Sequence, residues 1–264
     1  MSVQQEKFKE IADNIRVKLG TDDLIKPSEF ADKVNEVYNK GYSESESDFW
    51  KSIVYDTGTR SNVEYMFHRW RCEYIRPPFK VMGKTRNINM FSYNTKLKKV
   101  EKAYFDISGF TPNTSGTATD SNYYTFYYCQ ELEEIEDIGM QGGGYYFTFN
   151  SCPKLHTIEV MRCVKNGTYS TPFTNCNALK NLTIEGEIGK SFPIPNSPLS
   201  TASIVSIIEH LSQDVTGQTL TLNKTAKNNM VYPYTSPYSQ TTYNSWDDVI
   251  NNPVVKNWTI SLSS

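Results

Sequence analysis

Apolar residues between positions 8 and 38 recur at the spacing of a helix face. A first run ends at Gly20, where a glycine commonly terminates a helix, and a second follows Pro27 and Ser28, a residue suited to cap a helix N-terminus. This i, i+3, i+4, i+7 pattern predicts two short amphipathic helices, whose apolar faces need another surface to pack against. The apolar positions are Phe8, Ile11, Ala12, Ile15 and Leu19, then Phe30, Val34, Val37 and Tyr38.

An apolar pattern of four positions recurs through the middle of the chain. It has the form F-x-x-[C/N]-x-x-L-x-x-[V/I/L], and its copies begin at Phe91, Phe126, Phe149 and Phe173. No copy can bury its apolar residues alone, so the repeat predicts neighbouring copies that stack into a continuous core, as in a β-solenoid. The predicted repeat core is Phe91, Leu97, Phe126, Cys129, Leu132, Phe149, Cys152, Leu155, Phe173, Cys176 and Leu179.

Three of the cysteines, Cys129, Cys152 and Cys176, share one repeat position. A small, buried apolar side chain fits such a position. The sequence has no C-x-x-C motif and no cysteine–histidine pair at ligand spacing. We therefore expect reduced, structural cysteines, with no metal and no cofactor.

The C-terminal residues alternate between helical and strand patterns. Helices are predicted over 203–211 and 245–250, and strands over 219–222 and 258–262. An arrangement of this kind can cover the last layer of a stacked core, and we expect Trp246 and Trp258 to belong to it.

The charge balance narrows the classes of partner that the protein can bind. The chain of 264 residues has a net charge of -2, which argues against a nucleic-acid protein that works by bulk positive charge. Basic residues concentrate in 60–102, which is either an ordinary solvated face, the reading we favour, or a site for an acidic partner. No apolar run is long enough to insert into a membrane, and the N-terminus has no signal-peptide pattern.

The repeat resembles the BspA-type leucine-rich repeat, whose units have the same order of Phe, Cys, Leu and Ile. Residues 11–42 look like the helical opening segment of tail and baseplate proteins from phages and prophages of Gram-positive bacteria. Residues 41–67 look like the connector that precedes the repeats in those proteins, and the stretch from Ser203 to the final WTISL is similar to their closing cap.

The resemblance and the patterns together predict an α+β fold with short N-terminal helices, a leucine-rich-repeat-like β-solenoid and an α/β C-terminal cap. The expected domains are a helical attachment segment at 1–59, a repeat solenoid at 60–200 and the cap at 201–264. The resemblance implies a non-enzymatic structural or adhesive part of a phage tail, baseplate or fibre, made in the bacterial cytoplasm and localised to the virion. The alternative is a BspA-like surface adhesin or a protein-interaction scaffold.

The same resemblance implies a set of partners. Other tail or baseplate proteins are expected to bind the N-terminal helices, and the protein is expected to form a homo-oligomer within the particle. A glycan or protein of the host surface is the expected external contact, and neither a nucleic-acid partner nor membrane insertion is expected.

Two further patterns bear on chemistry. Ile53–Thr59 resembles the Asp-Thr-Gly-Thr of aspartic proteases, but those enzymes need two such aspartates, and a turn is the simpler explanation. The three histidines stand at no ligand spacing, so no catalytic residue is predicted. Tyrosine clusters are the candidate binding surfaces, because rigid amphipathic rings suit glycan or protein contacts. The candidates are Tyr123, Tyr124, Tyr145, Tyr146, Tyr234 and Tyr238, in clusters that also include Tyr127, Tyr128, Tyr232 and Tyr243.

Overall fold

The structure of the protein is a computed structural model. It describes residues 54–56, 67–69, 73–75, 79–82, 87–106, 122–141 and 144–263. In chain order the strands are β1 (Val54–Asp56), β2 (Tyr74–Ile75), β3 (Phe79–Met82), β4 (Asn87–Ile88), β5 (Lys99–Asp106), β6 (Asn122–Tyr123), β7 (Glu134–Gln141), β8 (Thr157–Cys163), β9 (Asn181–Gly186), β10 (Phe192–Ile194), β11 (Gln218–Asn223), β12 (Tyr234–Thr235), β13 (Thr242–Tyr243) and β14 (Trp258–Ser263). The α-helices are α1 (Thr201–Glu209), α2 (Lys224–Asn228) and α3 (Trp246–Ile250), and a 3-10 helix covers Pro253–Asn257.

The largest unit is a seven-stranded parallel sheet in the order β1-β3-β5-β7-β8-β9, with β2 also paired to β5. The last apolar position of the sequence repeat fixes its register, because Val100 pairs with Ile135, Ile135 with Ile158 and Ile158 with Leu182. All four of these side chains are buried. Equivalent repeat positions therefore lie side by side on the inner face of the sheet.

Aromatic rings form a second ladder beneath the sheet. Phe67, Phe91, Phe126, Phe149 and Phe173 stack in sequence, with ring centroids 5.0 to 5.9 Å apart. Such offset stacking of large buried rings contributes about 0.5–1.5 kcal/mol per pair beyond the burial of area. Every residue predicted as repeat core lies in this buried cluster.

The cysteines form a third row of equivalent repeat positions, after the paired strand residues and the stacked phenylalanine rings. The thiols of Cys129, Cys152 and Cys176 each lie 3.0–3.3 Å from a phenylalanine carbonyl oxygen in the preceding repeat. A thiol is a weak donor, and these contacts add a side-chain hydrogen bond between neighbouring repeats in the buried core. The cysteines are free and buried.

The C-terminal residues form a smaller unit against the end of the large sheet. Strands β10, β11 and β14 make a parallel three-stranded sheet, and helix α1 packs on β9. The helices and strands predicted for this part of the sequence are present as α1, β11, α3 and β14. Trp258 is buried and its indole N–H donates to the Ser212 carbonyl at 2.8 Å, whereas Trp246 is half-buried.

The predicted fold class, α+β with a β-solenoid, is wrong. The described residues form parallel sheets with three short α-helices, the hallmark of a sheet-dominated α/β structure, and no solenoid is detected among them. Antiparallel pairing is confined in these residues to β12 and β13. The repeat pattern requires only that equivalent residues lie in register in neighbouring segments, and a parallel sheet with its connecting turns meets that requirement equally well.

The predicted N-terminal helices and most of the segment 1–59 lie outside the described residues, apart from strand β1, which pairs with β3. In the part of the chain that the structure describes, no helix combines the length and the apolar character needed to cross a bilayer.

Candidate binding surface

Four turn segments lie side by side along one edge of the core, at residues 87–93, 122–128, 144–151 and 168–175. Backbone hydrogen bonds join each segment to the next. For example, the N–H of Phe91 donates to the carbonyl of Thr125, that of Phe126 to Thr148 and that of Phe149 to Pro172, all within 2.8–2.9 Å. The central Phe of each segment points into the core, which holds the segments in register.

Each turn segment has two non-glycine residues with left-handed backbone, placed two positions before and two positions after its central Phe. These bends let the flanking residues remain partly exposed while the Phe is buried. The residues and their φ values are Asn89 (53°), Tyr93 (59°), Tyr124 (57°), Tyr128 (61°), Phe147 (49°), Ser151 (64°), Thr171 (44°) and Asn175 (61°).

Partly exposed aromatic side chains of the first three turn segments meet in one cluster, which we call the tyrosine face. Rings of Tyr123 and Tyr146 stack at 4.5 Å, Tyr124 packs against Tyr127 at 4.8 Å, and Tyr127 in turn contacts Tyr93 at 5.3 Å. Because each ring is held by its neighbours, little rotamer entropy remains to be lost when a ligand binds. The tyrosine face consists of Tyr93, Tyr123, Tyr124, Tyr127, Tyr128, Tyr146 and Phe147.

Partial burial also affects the acid–base behaviour of Tyr127 in the face. Desolvation, reinforced by the nearby Tyr93 phenol, raises the pKa of Tyr127. The Tyr127 phenol is therefore a neutral hydrogen-bonding group at physiological pH.

A groove of about 380 Å³ lies beside the tyrosine face, at the fourth turn segment. The two are contiguous, since the N–H of Phe147 donates to the carbonyl of Ser170 at 3.0 Å. Within the groove, the amide oxygen of Gln218 accepts from the backbone N–H of Ser191 at 2.8 Å and from its hydroxyl at 3.1 Å. The groove is lined by Thr168, Tyr169, Ser170, Thr171, Lys190, Ser191, Pro193 and Gln218.

Charge is distributed very unevenly over the described residues. The four turn segments contain no Asp, Glu, Lys, Arg or His. Ion pairs concentrate instead along the strands and the loops next to them. Arg162 on β8 pairs with Asp137 at 2.9 Å and with Glu185, and Tyr104 donates to the same aspartate. This pairing raises the pKa of Arg162 and keeps its guanidinium charged.

Two lysines of the basic segment 60–102 form ion pairs with nearby carboxylates. Lys98 pairs with Glu73 at 2.9 Å, and Lys99 pairs with Glu136 at 2.6 Å and with Glu134 at 3.3 Å. These contacts favour the solvated-face interpretation for Lys98 and Lys99 over a site for an acidic partner.

The candidate tyrosines are divided among three environments. Tyr123, Tyr124 and Tyr146 belong to the tyrosine face. The proposal of Tyr145 as a surface residue is wrong, because its ring is fully buried and its hydroxyl donates to the carbonyls of Ile138 and Arg162 at 3.0 and 2.9 Å. Adjacent residues with alternating direction produce this difference between Tyr145 and Tyr146.

Tyr234 and Tyr238 lie in the C-terminal unit, outside the tyrosine face. Tyr234 is half-buried in β12, and Tyr238 is 50% exposed and packs edge-on against His210.

Sequence reasoning missed Tyr93 and Phe147 as members of the tyrosine face. Their repeat positions, two residues after and two before a core Phe, match those of Tyr128 and Tyr124, and that spacing was the available signal.

Reactive groups are scarce in the described structure. Burial raises the pKa of Cys152 and Cys176, and it raises that of Cys163 to about 12, so these thiols are not nucleophiles at neutral pH. Among the residues described, no group of three His, Cys, Asp or Glu side chains could hold a metal ion.

No protein-family model, curated protein or solved structure matches the chain.

Proposed function

We propose that the protein is a non-enzymatic, adhesive component of a bacteriophage tail or phage-like particle, and that it contacts the host surface through the tyrosine face. The observation that supports adhesion is the tyrosine face itself, a preorganised set of partly exposed rings beside a polar groove. Rings, hydroxyls and amides bind ligands through stacking and hydrogen bonds, and they supply no activated nucleophile.

The proposal of a particle rests on the order of sequence features along the chain. An opening helical pattern, a connector, repeats and a closing α/β segment follow one another as in tail proteins. In this proposal residues 1–59 attach the protein to other tail or baseplate proteins, and several copies are present in each particle.

Mass spectrometry of purified particles tests the location. Particles from a lysate or an induced culture are expected to contain this chain at a copy number comparable with that of the other tail proteins. Absence from clean particles, with recovery in the cell fraction, would contradict the virion location and favour a bacterial adhesin or scaffold.

A competition experiment tests adhesion separately. Purified full-length protein, added before infection, is expected to reduce adsorption of the particles to host cells. The Tyr146→Ser variant is expected to compete poorly, because it removes the ring that stacks on Tyr123. The matched control is Tyr238→Ser, which removes an exposed tyrosine outside the face and should compete like the unmodified protein.

A further inference from the structure

Among the described residues, the formal charges at the tyrosine face and its groove are Lys190 in the groove and Arg69, whose guanidinium lies 5.6 Å from the ring centroid of Tyr93. The four turn segments that build this surface have no acidic or basic side chain, whereas the neighbouring strands have many. A nucleic acid or an acidic polysaccharide requires several cations along its site, and one cation beside the first turn segment with one beside the fourth does not meet that need. The surface therefore matches an uncharged ligand.

The groups that the surface does present are of two kinds. Partly exposed rings occupy the first three turn segments, and hydroxyl and amide side chains such as Ser170, Thr171 and Gln218 occur at the groove. A sugar ring has the complementary chemistry, since its C–H face packs on an aromatic ring and its hydroxyls both donate and accept hydrogen bonds.

The spacing of the surface is also repetitive. Neighbouring turn segments are joined by backbone hydrogen bonds like those between strands, which places them about 4.8 Å apart. Four such segments present equivalent positions at regular intervals, a spacing comparable with the length of one pyranose unit. A polymer with a regular sugar repeat can therefore contact several segments in the same manner.

We propose that the tyrosine face and the adjacent groove bind a neutral polysaccharide chain. This inference rests on the proposed adhesive function and names the chemical class of its ligand. Tyr123 and Tyr146 supply the stacking platform, and Ser170 and Gln218 supply hydrogen bonds to hydroxyls of the same chain. Binding is driven by stacking and hydrogen bonding, so it should be nearly independent of salt.

The test uses purified full-length protein and polysaccharide released from host cell walls, separated by anion exchange into a neutral and an acidic fraction. Affinity electrophoresis with each fraction in the gel measures binding. We expect retardation in the neutral fraction at both low and high salt, and loss of retardation after periodate oxidation of its vicinal diols.

Variants link this binding to the face. Tyr146→Ser is expected to weaken affinity about tenfold or more, the loss of one stacking contact. Tyr146→Phe retains the ring and should stay within a few-fold of the unmodified protein, and Tyr238→Ser should match it. Thermal unfolding of each variant shows whether the fold is intact. Equal affinity of the folded Tyr146→Ser variant would overturn the assignment to this face.

The remaining outcomes separate the ligand from the proposed function. Binding to the acidic fraction alone would contradict a neutral polysaccharide as the ligand and leave the adhesive function intact. The same conclusion would follow if protease treatment of host cells abolished binding of the protein to them and periodate treatment did not. If neither fraction is bound and the chain is present on particles, the polysaccharide ligand is contradicted and the proposed adhesive function is not. Binding to the neutral fraction by a chain absent from particles would support the ligand and contradict the virion.

Discussion

Ser151 and Asn175 show at the scale of single residues how the turn segments are built. Both adopt left-handed backbone, with φ values of 64° and 61°, at the same repeat position. Left-handed backbone costs an L-residue other than glycine roughly 1–2 kcal/mol, so each turn segment contains a local cost that the buried Phe and the intersegment hydrogen bonds offset. The Ser151 hydroxyl also donates to the amide oxygen of Asn150 at 2.9 Å and accepts from Asn175 at 3.4 Å, so substitutions here change these partly exposed contacts as well as the strain.

Replacement of Ser151 by glycine is expected to stabilise the protein by about 1 kcal/mol. Glycine removes the left-handed strain, and this gain exceeds its larger loss of chain entropy on folding. Urea denaturation measures the change in the free energy of unfolding. The control is Asn150→Gly, one residue earlier and not left-handed, which should destabilise by about 0.5–1 kcal/mol. Destabilisation by both substitutions would show that strain at position 151 is not released.

The thiols of Cys129, Cys152, Cys163 and Cys176 are expected to resist alkylation in the native protein. All four are buried, and burial raises the pKa of Cys163 to about 12, so the reactive thiolate is scarce at pH 8. Iodoacetamide labelling followed by peptide mass spectrometry measures the modified fraction at each site. The same reaction in guanidinium chloride should label all four, and rapid labelling of the native protein would contradict their burial.

At the scale of the elements, close approach between neighbouring segments is the main constraint. Gly186 ends β9 with φ of 88°, and a Cβ atom there would lie 2.2 Å from the carbonyl oxygen of Cys163 on β8. Gly217 also has positive φ, at 70°, but a Cβ atom would meet nothing within 4 Å. The two glycines thus share a backbone conformation and differ in the space around them.

Gly186→Ala is expected to destabilise the protein by about 3 kcal/mol or more, since both the backbone strain and the overlap with the neighbouring strand must be relieved. Gly217→Ala should cost only about 1 kcal/mol, the strain alone. Denaturant unfolding of the two variants gives both values. Equal and small losses would mean that β8 and β9 can separate without cost at this point.

The elements also show which features of the fold could be predicted from the sequence. The spacing of Phe126, Cys129 and Leu132 identified the buried positions, because side-chain size and burial repeat with the sequence. It did not identify the fold class, since equivalent residues in register occur both in a solenoid and in a parallel sheet. It also assigned Tyr145 to the surface together with Tyr146, because adjacent side chains point in opposite directions and the pattern did not show which of the two faces the core.

At the scale of the whole molecule, the carboxylate of Glu209 connects α1 to later residues of the C-terminal unit through several hydrogen bonds. Glu209 at the end of α1 accepts hydrogen bonds from the hydroxyls of Ser236 at 2.6 Å, Ser239 at 2.5 Å and Tyr243 at 2.8 Å. Asn252 donates to the Tyr243 hydroxyl at 2.7 Å. Because α1 packs on β9, this network connects the large sheet to the loop that precedes α3.

Removal of the Tyr243 hydroxyl is expected to destabilise the protein near neutral pH and to matter less in alkali. Burial, followed by the hydrogen bond to Glu209, raises the pKa of Tyr243 from 10.0 to about 12. A group whose pKa is raised in the folded state stabilises the fold fully below its unfolded pKa, and that contribution is lost as the pH rises through the folded value. The Tyr243→Phe variant should therefore be less stable by about 1.5–3 kcal/mol at pH 8, the value of one hydrogen bond to a charged group.

The difference in unfolding free energy between the unmodified protein and Tyr243→Phe should then narrow between pH 10 and pH 12. Urea denaturation of both proteins across this range measures it, and the other tyrosines cancel because both chains contain them. Tyr238→Phe, at an exposed ring in the same unit, provides the control and should show no such trend. A constant difference through pH 12 would mean that Tyr243 ionises equally in the folded and unfolded states, and the hydroxyl network around Glu209 would then contribute no proton-linked stability to the C-terminal unit.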